Sequence, residues 1–452
     1  MRHHLGMDSC VIVSARYVPK GDAPLDRHTL FTALSYVILK ERPLSMQIRG
    51  DGSRDPIFVR LDTVDLSQVV EFRDDDSSVI ESVMTLHWLR PFDVGTSSPL
   101  WRLSVFQDNT VLFAYHHAIG DGQSGLAFHR SLLSALNRLA ELPPVTSDVV
   151  SIPSSLAPQP ALENVVKTSV SFLTWCREVY GILAPAKLTP QFTAWTANTV
   201  SSTTTLQNNV RRWEIPPEDA KALLQLCREN KSTLTSFFHT LATLVASYLL
   251  ATKYPPAYKC KTIPFSVPVS LRRVTNAPRD AICDHVSSVK TYEKILTFPS
   301  IEKGKQPLVE SFSWETSAKY AAKLRKAAAS SPELIGLFKF IFGRYKEFYQ
   351  GKLGKKRDNG IEISNLGVFP AEQAEPAAGT GWTVEQVFFS QCDATAGAAL
   401  KINVAGSPSG AVGIAFTWGD GAVDTAFAEA FVEEFKEAVE VILHKGKPKN
   451  GL

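Results

Sequence analysis

Two adjacent histidines, His116 and His117, stand in the heptad His116-His117-Ala118-Ile119-Gly120-Asp121-Gly122. A neutral imidazole, with an ordinary pKa near 6.5, can take a proton from an alcohol or amine as that atom attacks a carbonyl. The carboxylate of Asp121, with glycines beside it, could turn back to orient the imidazole of His117, or it could pair with a cation elsewhere and hold the loop. Spacing alone leaves both open. Two half-buried packing histidines fit the same pattern, and a metal site fits less well, because no third histidine or cysteine lies at ligand spacing nearby.

The elements around the heptad are legible. Val111–Tyr115 is a short apolar and aromatic run that reads as a mostly buried strand. Gly122–Leu136 carries apolar residues at helical spacing, with Asp121 where a capping acid belongs and with Gly120 and Gly122 expected to allow a sharp bend. Upstream, Leu100–Gln107 reads as a strand joined by an Asp108-Asn109 turn, so the histidines close an antiparallel hairpin.

His116-His117-x-x-x-Asp121-Gly122 resembles the HHxxxDG signature of acyl-CoA-dependent acyltransferases and peptide-synthetase condensation domains, and within them the fungal alcohol acetyltransferase branch. Pro99-Leu100-Trp101-Arg102-Leu103 and Ser364-Asn365-Leu366-Gly367 are similar to further segments of that superfamily. The resemblance implies an α/β (α+β) fold: two chloramphenicol-acetyltransferase-like lobes, each a mixed sheet packed with helices, with an active-site tunnel between them. It implies His117 as general base, with His116 and Gly122 shaping the loop and Asp121 paired with Arg272, which follows the strand Thr262–Ser270. No permanently bound cofactor and no metal are expected; acetyl-CoA or another acyl-CoA is the cosubstrate and a small-molecule alcohol the acceptor. One departure from the plant branch is Phe416-Thr417-Trp418-Gly419-Asp420-Gly421, which shares little with DFGWG beyond Trp418-Gly419.

Other candidates are more loosely drawn. Ser364, Asn365 and Gly367 are possible oxyanion or lining groups, and Ser236 and His239 lie on a helix that follows the tunnel in the resembled family. The basic run Lys352, Lys355, Lys356 and Arg357 could meet the phosphates of CoA or simply be a solvated loop.

Composition excludes several classes. With 48 basic and 45 acidic side chains the net charge is +3, so no global field recommends nucleic acid. The six cysteines are scattered without a CxxC pair, which suits reduced thiols in a cytoplasmic setting. Apolar stretches such as Leu241–Leu250 are too short to span a bilayer, although an amphipathic helix could attach the chain to a membrane surface. Long helical periodicity is expected over Ala161–Leu183 and again over Glu333–Tyr349, while Ser77–Trp88 fits a helix or an edge strand.

At 452 residues two domains are expected, 1–200 carrying the histidine motif and a crossing linker, and 201–452 completing the donor and acceptor tunnel. The expected function is O-acetyl transfer from acetyl-CoA to a small hydrophobic alcohol or secondary metabolite, by a monomer. The alternatives are amide or ester formation from a carrier-bound thioester, and an inactive binding protein on the same scaffold.

Overall fold

All 6 side chains of Thr110–Tyr115 are buried, as a strand covered on both faces requires. Its neighbours can be traced in the computed structural model, which describes residues 1–452 apart from 22–24, 144, 159, 166–168, 257–258, 299–306, 371–380, 393–394 and 447–452. In chain order the strands are β1 (Val11–Pro19), β2 (Met46–Arg49), β3 (Ile57–Arg60), β4 (Thr63–Asp65), β5 (Val70–Phe72), β6 (Trp101–Val105), β7 (Thr110–Tyr115) and β8 (Val149–Ser151). They continue as β9 (Asn208–Ile215), β10 (Thr262–Ser270), β11 (Val286–Lys294), β12 (Ile361–Val368), β13 (Trp382–Gln391), β14 (Leu400–Gly406) and β15 (Val412–Gly419).

Two mixed sheets organise the chain. The first runs β13-β1-β7-β6-β5 and is antiparallel except for β5 beside β6. The second runs β11-β10-β12-β14-β15-β9, with β12 parallel to both of its neighbours. Small pairs β2/β3 and β4/β8 complete the strands. Although β13 is late in sequence, it borders β1 in the first sheet, and its Val387 N–H donates to Ser407 Oγ beyond β14 at 2.9 Å. The two sheets are therefore laced together near one end.

Each sheet has its own apolar layer of helices. Helix Gly122–Leu136 lies on the first, where Phe128 stacks on Phe113 with ring centroids 3.8 Å apart. Its His129 is a core residue, with Nε2 3.0 Å from the Val13 carbonyl and Nδ1 2.9 Å from the Tyr17 hydroxyl. On the second sheet lie helices Leu234–Thr252 and Thr425–Gly446, and Phe435 of the latter packs on Phe238 and Phe416 at centroid distances of 5.5 and 5.4 Å. The phenylalanines spaced along that last helix are thus core packing.

Three expectations change. Helix Leu234–Thr252 is 19 residues, longer than the Leu241–Leu250 stretch, and is apolar and long enough by composition to cross a bilayer; as the apolar run Leu234–Leu250 behind the cap Thr233 leads one to expect, 78% of that apolar stretch is buried inside the protein. Glu333–Tyr349 is not one helix but Pro332–Gly336, a 3-10 stretch Leu337–Ile341 and Tyr345–Gln350. The break is at Phe342 and Gly343, both left-handed (φ 52° and 76°), which a right-handed helix cannot contain. Ala161–Leu183 likewise divides into Leu162–Val165 and Phe172–Leu183, the part at 166–168 lying outside the described residues. Ser77–Trp88 resolves as a 3-10 turn running into helix Ile80–Leu89.

Candidate active site

The histidine loop starts where β7 leaves its sheet. His116 N–H still donates to the Leu100 carbonyl at 2.9 Å, and its Nδ1 accepts from Ala118 N–H at 2.9 Å, so the ring caps the 3-10 turn His117–Ile119. The ring packs against His3, centroids 4.4 Å apart. Burial holds His116 neutral, with its pKa pushed down to about 3. The glycines act differently from expectation. Gly120 is extended (φ −173°), and neither it nor Gly122 needs a left-handed backbone. What Gly122 provides is close approach: a Cβ there would stand 2.5 Å from Leu366 Cδ2 and 3.1 Å from Phe389.

Asp121 caps helix Gly122–Leu136, its Oδ1 accepting from Ser124 N–H at 3.1 Å, and Tyr115 O–H donates to its carbonyl at 2.6 Å. The same carboxylate receives both ends of the Arg272 guanidinium, at 2.5 and 2.9 Å, with the two side chains only 5% and 3% exposed. This is the two-bond geometry in which arginine and carboxylate bind most strongly. Arg272 also donates to the Ala281 and Cys283 carbonyls, and Ser124 Oγ exchanges hydrogen bonds with both backbone groups of Cys283. His285 N–H donates to Asp121 Oδ2 at 3.2 Å. Residues 281–285 are in this way stitched to the histidine loop.

That stitching delivers Asp284 to His117, Oδ2 standing 3.5 Å from Nδ1. Asp284 Oδ1 is buried and has no hydrogen-bond partner among the described residues. Asp8 is a second acid near the imidazole; it is buried, paired with Arg2, and accepts from Ser9 N–H at 2.9 Å. Burial pulls the His117 pKa down, but the Asp284 carboxylate beside it, helped by Asp8, more than offsets this and raises it to about 9. The imidazole is 32% exposed and opens on a cavity.

The cavity, about 600 Å³, lies between the sheets. Asp8, His116, His117, Phe389 and Gln391 line it from the first sheet and its loops, while Ser266, Pro268, Glu362 and Ser364 line it from the second. Leu334, Phe338, Tyr345 and Tyr349 form another wall. Gln391 Nε2 donates to Glu362 Oε1 at 2.9 Å and to Asn403 Oδ1 at 3.0 Å, tying β13 to β12 and β14 across the floor.

The structure thus brings together His116, His117, Asp121, Gly122 and Ser364 at the cavity, with Arg272 directly behind. It does not bring the others there. Asn365 spends its amide on Thr235 Oγ1 at 3.1 Å and its Oδ1 on Gly367 N–H at 2.9 Å, while Gly367 forms a left-handed bend (φ 80°) with open space around it. Ser236 completes the capping box of Leu234–Thr252. His239 is buried, its ring stacked on Tyr320 with centroids 3.3 Å apart, and burial depresses its pKa. These are core and capping roles.

The basic run also divides. Lys352 pairs with Asp358 at 2.7 Å, Lys355 is exposed, and Lys356 Nζ donates to the Gln191 and Phe192 carbonyls at 2.9 and 3.1 Å. Arg357 is 2% exposed and donates to the Thr395 and Gly397 carbonyls, so this guanidinium braces the interior and is in no position to meet a phosphate from solvent. Sequence reasoning missed Asp284, Asp8 and the Glu362–Gln391 bridge. For Asp284 a signal existed: an acid flanked by Cys283 and His285 shortly after the arginine already chosen as the partner of Asp121.

No described group of His, Cys, Asp and Glu could hold a metal ion. With the Asp284 carboxylate 3.5 Å from one ring nitrogen and a cavity beside it, the His117 imidazole is placed for acid–base chemistry.

Known proteins bear on that reading. The profile of the alcohol acetyltransferase family matches residues 1–439. "Probable alcohol acetyltransferase FCK4" of Fusarium pseudograminearum is 26% identical over 433 residues, covering 90% of this chain and 85% of the relative. "Probable alcohol acetyltransferase crmB" of Aspergillus fumigatus is 25% identical, covering 94% of each. Among solved structures, the TRI3 trichothecene 15-O-acetyltransferase of Fusarium sporotrichioides superposes with a TM-score of 0.69 at 11% identity, covering 96% of this chain and 91% of the other, a likeness of fold alone. Because the family profile runs from the first residue to within the last helix, with the paired-histidine loop inside it, the chain belongs to the alcohol acetyltransferase family.

Proposed function

We propose that His117 is the general base of an acetyl-CoA-dependent O-acetyltransferase whose acceptor is a small alcohol held in the cavity between the sheets. Transfer of acetyl to an alcohol is the activity of the family. The observation that carries the assignment is the Asp284 carboxylate 3.5 Å from His117 Nδ1, which leaves Nε2 for the acceptor. The acceptor hydroxyl gives its proton to Nε2 as its oxygen attacks the thioester carbonyl. The tetrahedral intermediate collapses by breaking the C–S bond, and the imidazolium returns the proton to the CoA thiolate. Both substrates react in one site, so no acyl-enzyme is needed.

Ser364 is our choice for the oxyanion donor, since its side chain lines the same cavity. Asp121 and Arg272 act as a clamp that fixes the loop, one step removed from the reacting atoms. Of the basic run, Lys352 and Lys355 are left to attract CoA phosphates. The chain is read as a monomer of two lobes, 1–200 and 201–452, with β13 lent to the first and a tunnel between them; support comes from the separate hydrophobic cores on the two sheets.

The test is thiol release from acetyl-CoA by the purified protein with a panel of alcohols, with the product identified by mass spectrometry. Acceptor-dependent release and an ester product, both lost in His117→Ala, are expected. Undiminished turnover in that variant would remove His117 from the chemistry.

A further inference from the structure

Strand alternation sets what faces the cavity. On β12, Ile361 and Ile363 are buried in the core of the second sheet, so Glu362 and Ser364 turn to the opposite side. Leu366, further along the strand, reaches the histidine loop, where a Cβ on Gly122 would stand 2.5 Å from its Cδ2. Ser364 and then Glu362 follow in the direction away from that loop, about 7 Å apart on their shared face. β13 is built the same way: Phe389 closes on the same glycine, and Gln391 is the next side chain on that face. On β10 the residue beside Glu362 in the parallel register is Ser266, between the buried Phe265 and Val267. Away from the histidine loop both strands thus pass from an apolar side chain to polar ones, and Ser266, Glu362 and Gln391 all line the cavity.

The direction of the hydrogen bonds among them is forced. The Ala415 carbonyl can only accept, so Asn403 presents its Nδ2 to it at 3.0 Å and turns its Oδ1 to Gln391. Gln391 must then donate. Its Nε2 is spent on Asn403 Oδ1 and Glu362 Oε1, and its Oε1 is left as an acceptor with no partner among the described residues. Ser266 is 6% exposed, and its hydroxyl likewise has no partner among the described residues. A carboxylate, an amide oxygen and a hydroxyl in residues that line one space suit a ligand group that donates hydrogen bonds. An apolar ligand end there would take water from all three and replace none of it.

We propose that Ser266, Glu362 and Gln391 form a subsite for a second hydroxyl of the acceptor, so that the preferred substrate is a diol or polyol. One hydroxyl reacts at His117, and the apolar part of the molecule meets Leu334, Phe338 and Phe389. The other hydroxyl donates to Glu362 or to Gln391 Oε1 and accepts from Ser266, while Ser364, nearer the histidine loop, is kept for the oxyanion. The fate of the first hydroxyl rests on the acetyltransferase reading; the subsite itself is a matter of binding.

The experiment compares straight-chain primary alkanols, from butanol to decanol, with the α,ω-diols of equal length, by thiol release from acetyl-CoA with the full chain. At the best-fitting length the diol is expected to exceed the alkanol in kcat/KM by about tenfold, beyond the statistical advantage of its two equivalent ends. Ser266→Ala and Glu362→Gln should each lower that ratio about fivefold, with melting temperatures within a few degrees of wild type. If Glu362→Gln melts early, Ser266→Ala decides alone. Calorimetric titration without acetyl-CoA gives a second readout, in which the diol binds more tightly than the alkanol by a margin that Ser266→Ala shrinks. An alkanol that matches or beats its diol at every length would overturn the subsite, and so would a diol preference that Ser266→Ala leaves intact. Tighter diol binding, reduced by Ser266→Ala, in a protein that releases no thiol with any alcohol would support the subsite and count only against the acetyltransferase reading.

Discussion

Asp121 and Asp284 lie on two backbone segments stitched to each other, yet the fold treats them in opposite ways. Asp121 is 5% exposed and saturated: Arg272 donates to it twice, Ser124 from N–H and hydroxyl, and His285 from its backbone. Asp284 is 35% exposed, faces one imidazole at 3.5 Å, and keeps a buried oxygen without a partner among the described residues. A saturated carboxylate has its negative charge compensated in place and gains nothing from further rearrangement. An unsaturated one can still respond to the charge of its neighbour. The difference separates a carboxylate locked in a clamp from one left free to respond to the imidazole, and the acid in the signature motif is the locked one.

The comparison can be broken at several points. Arg272→Ala leaves Asp121 buried and unpaired, and the expected loss of stability in denaturant titration is about 3–5 kcal/mol. Arg272→Lys should recover only part of it, because an ammonium cannot reproduce two parallel bonds. A loss below about 1 kcal/mol in Arg272→Ala would show that the clamp is dispensable. His117→Ala should lower acetyl transfer about a thousandfold while the melting temperature stays within a few degrees of wild type.

Asp284→Asn sharpens the contrast through pH. With His117 at about 9, only about one imidazole in a hundred is neutral near pH 7, so the rate in the wild type rises with pH toward 9. Removing the Asp284 charge should move that rising limb down by more than one pH unit and cut the plateau rate about tenfold. Because the folded-state pKa of His117 is raised, the pair contributes stability in full below about pH 6.5 and loses it as pH climbs through about 9. The stability gap between wild type and Asp284→Asn should therefore narrow from pH 6 to pH 10 in chemical denaturation, and a gap that widens would contradict the pairing. The smallest effect is expected from Lys352→Ala/Lys355→Ala: about a threefold rise in KM for acetyl-CoA with kcat unchanged, since Lys352 is already held by Asp358 and the exposed charge of Lys355 acts weakly through solvent.

Much of the site could be read without coordinates, because local forces dominate there. The buried run Val111–Tyr115, the capping position of Asp121 and the apolar periodicity of Gly122–Leu136 are properties of neighbouring residues, and the observed strand and helix follow them closely. Lys352 to Arg357 shows the limit of such reading. Four basic residues close together look alike in sequence, yet one is exposed, two hold nearby oxygens and Arg357 is sealed inside against two carbonyls. Glu333–Tyr349 shows it for backbone, since an unbroken helical periodicity conceals the left-handed turn at Phe342 and Gly343.

By itself the sequence determined the hairpin and helix that present His117, because hydrogen bonding and apolar spacing within a few residues suffice to specify them. Which partner Asp121 would take was left open by its spacing and decided by the fold, across 151 residues of chain. Tertiary structure alone placed Asp284 against the imidazole, 3.5 Å away, and enclosed both in a cavity between two sheets. Long-range pairing of this kind depends on how the segment 281–285, between β10 and β11, meets the histidine loop, and no local pattern encodes a distance between segments that meet only after each sheet has buried its own core.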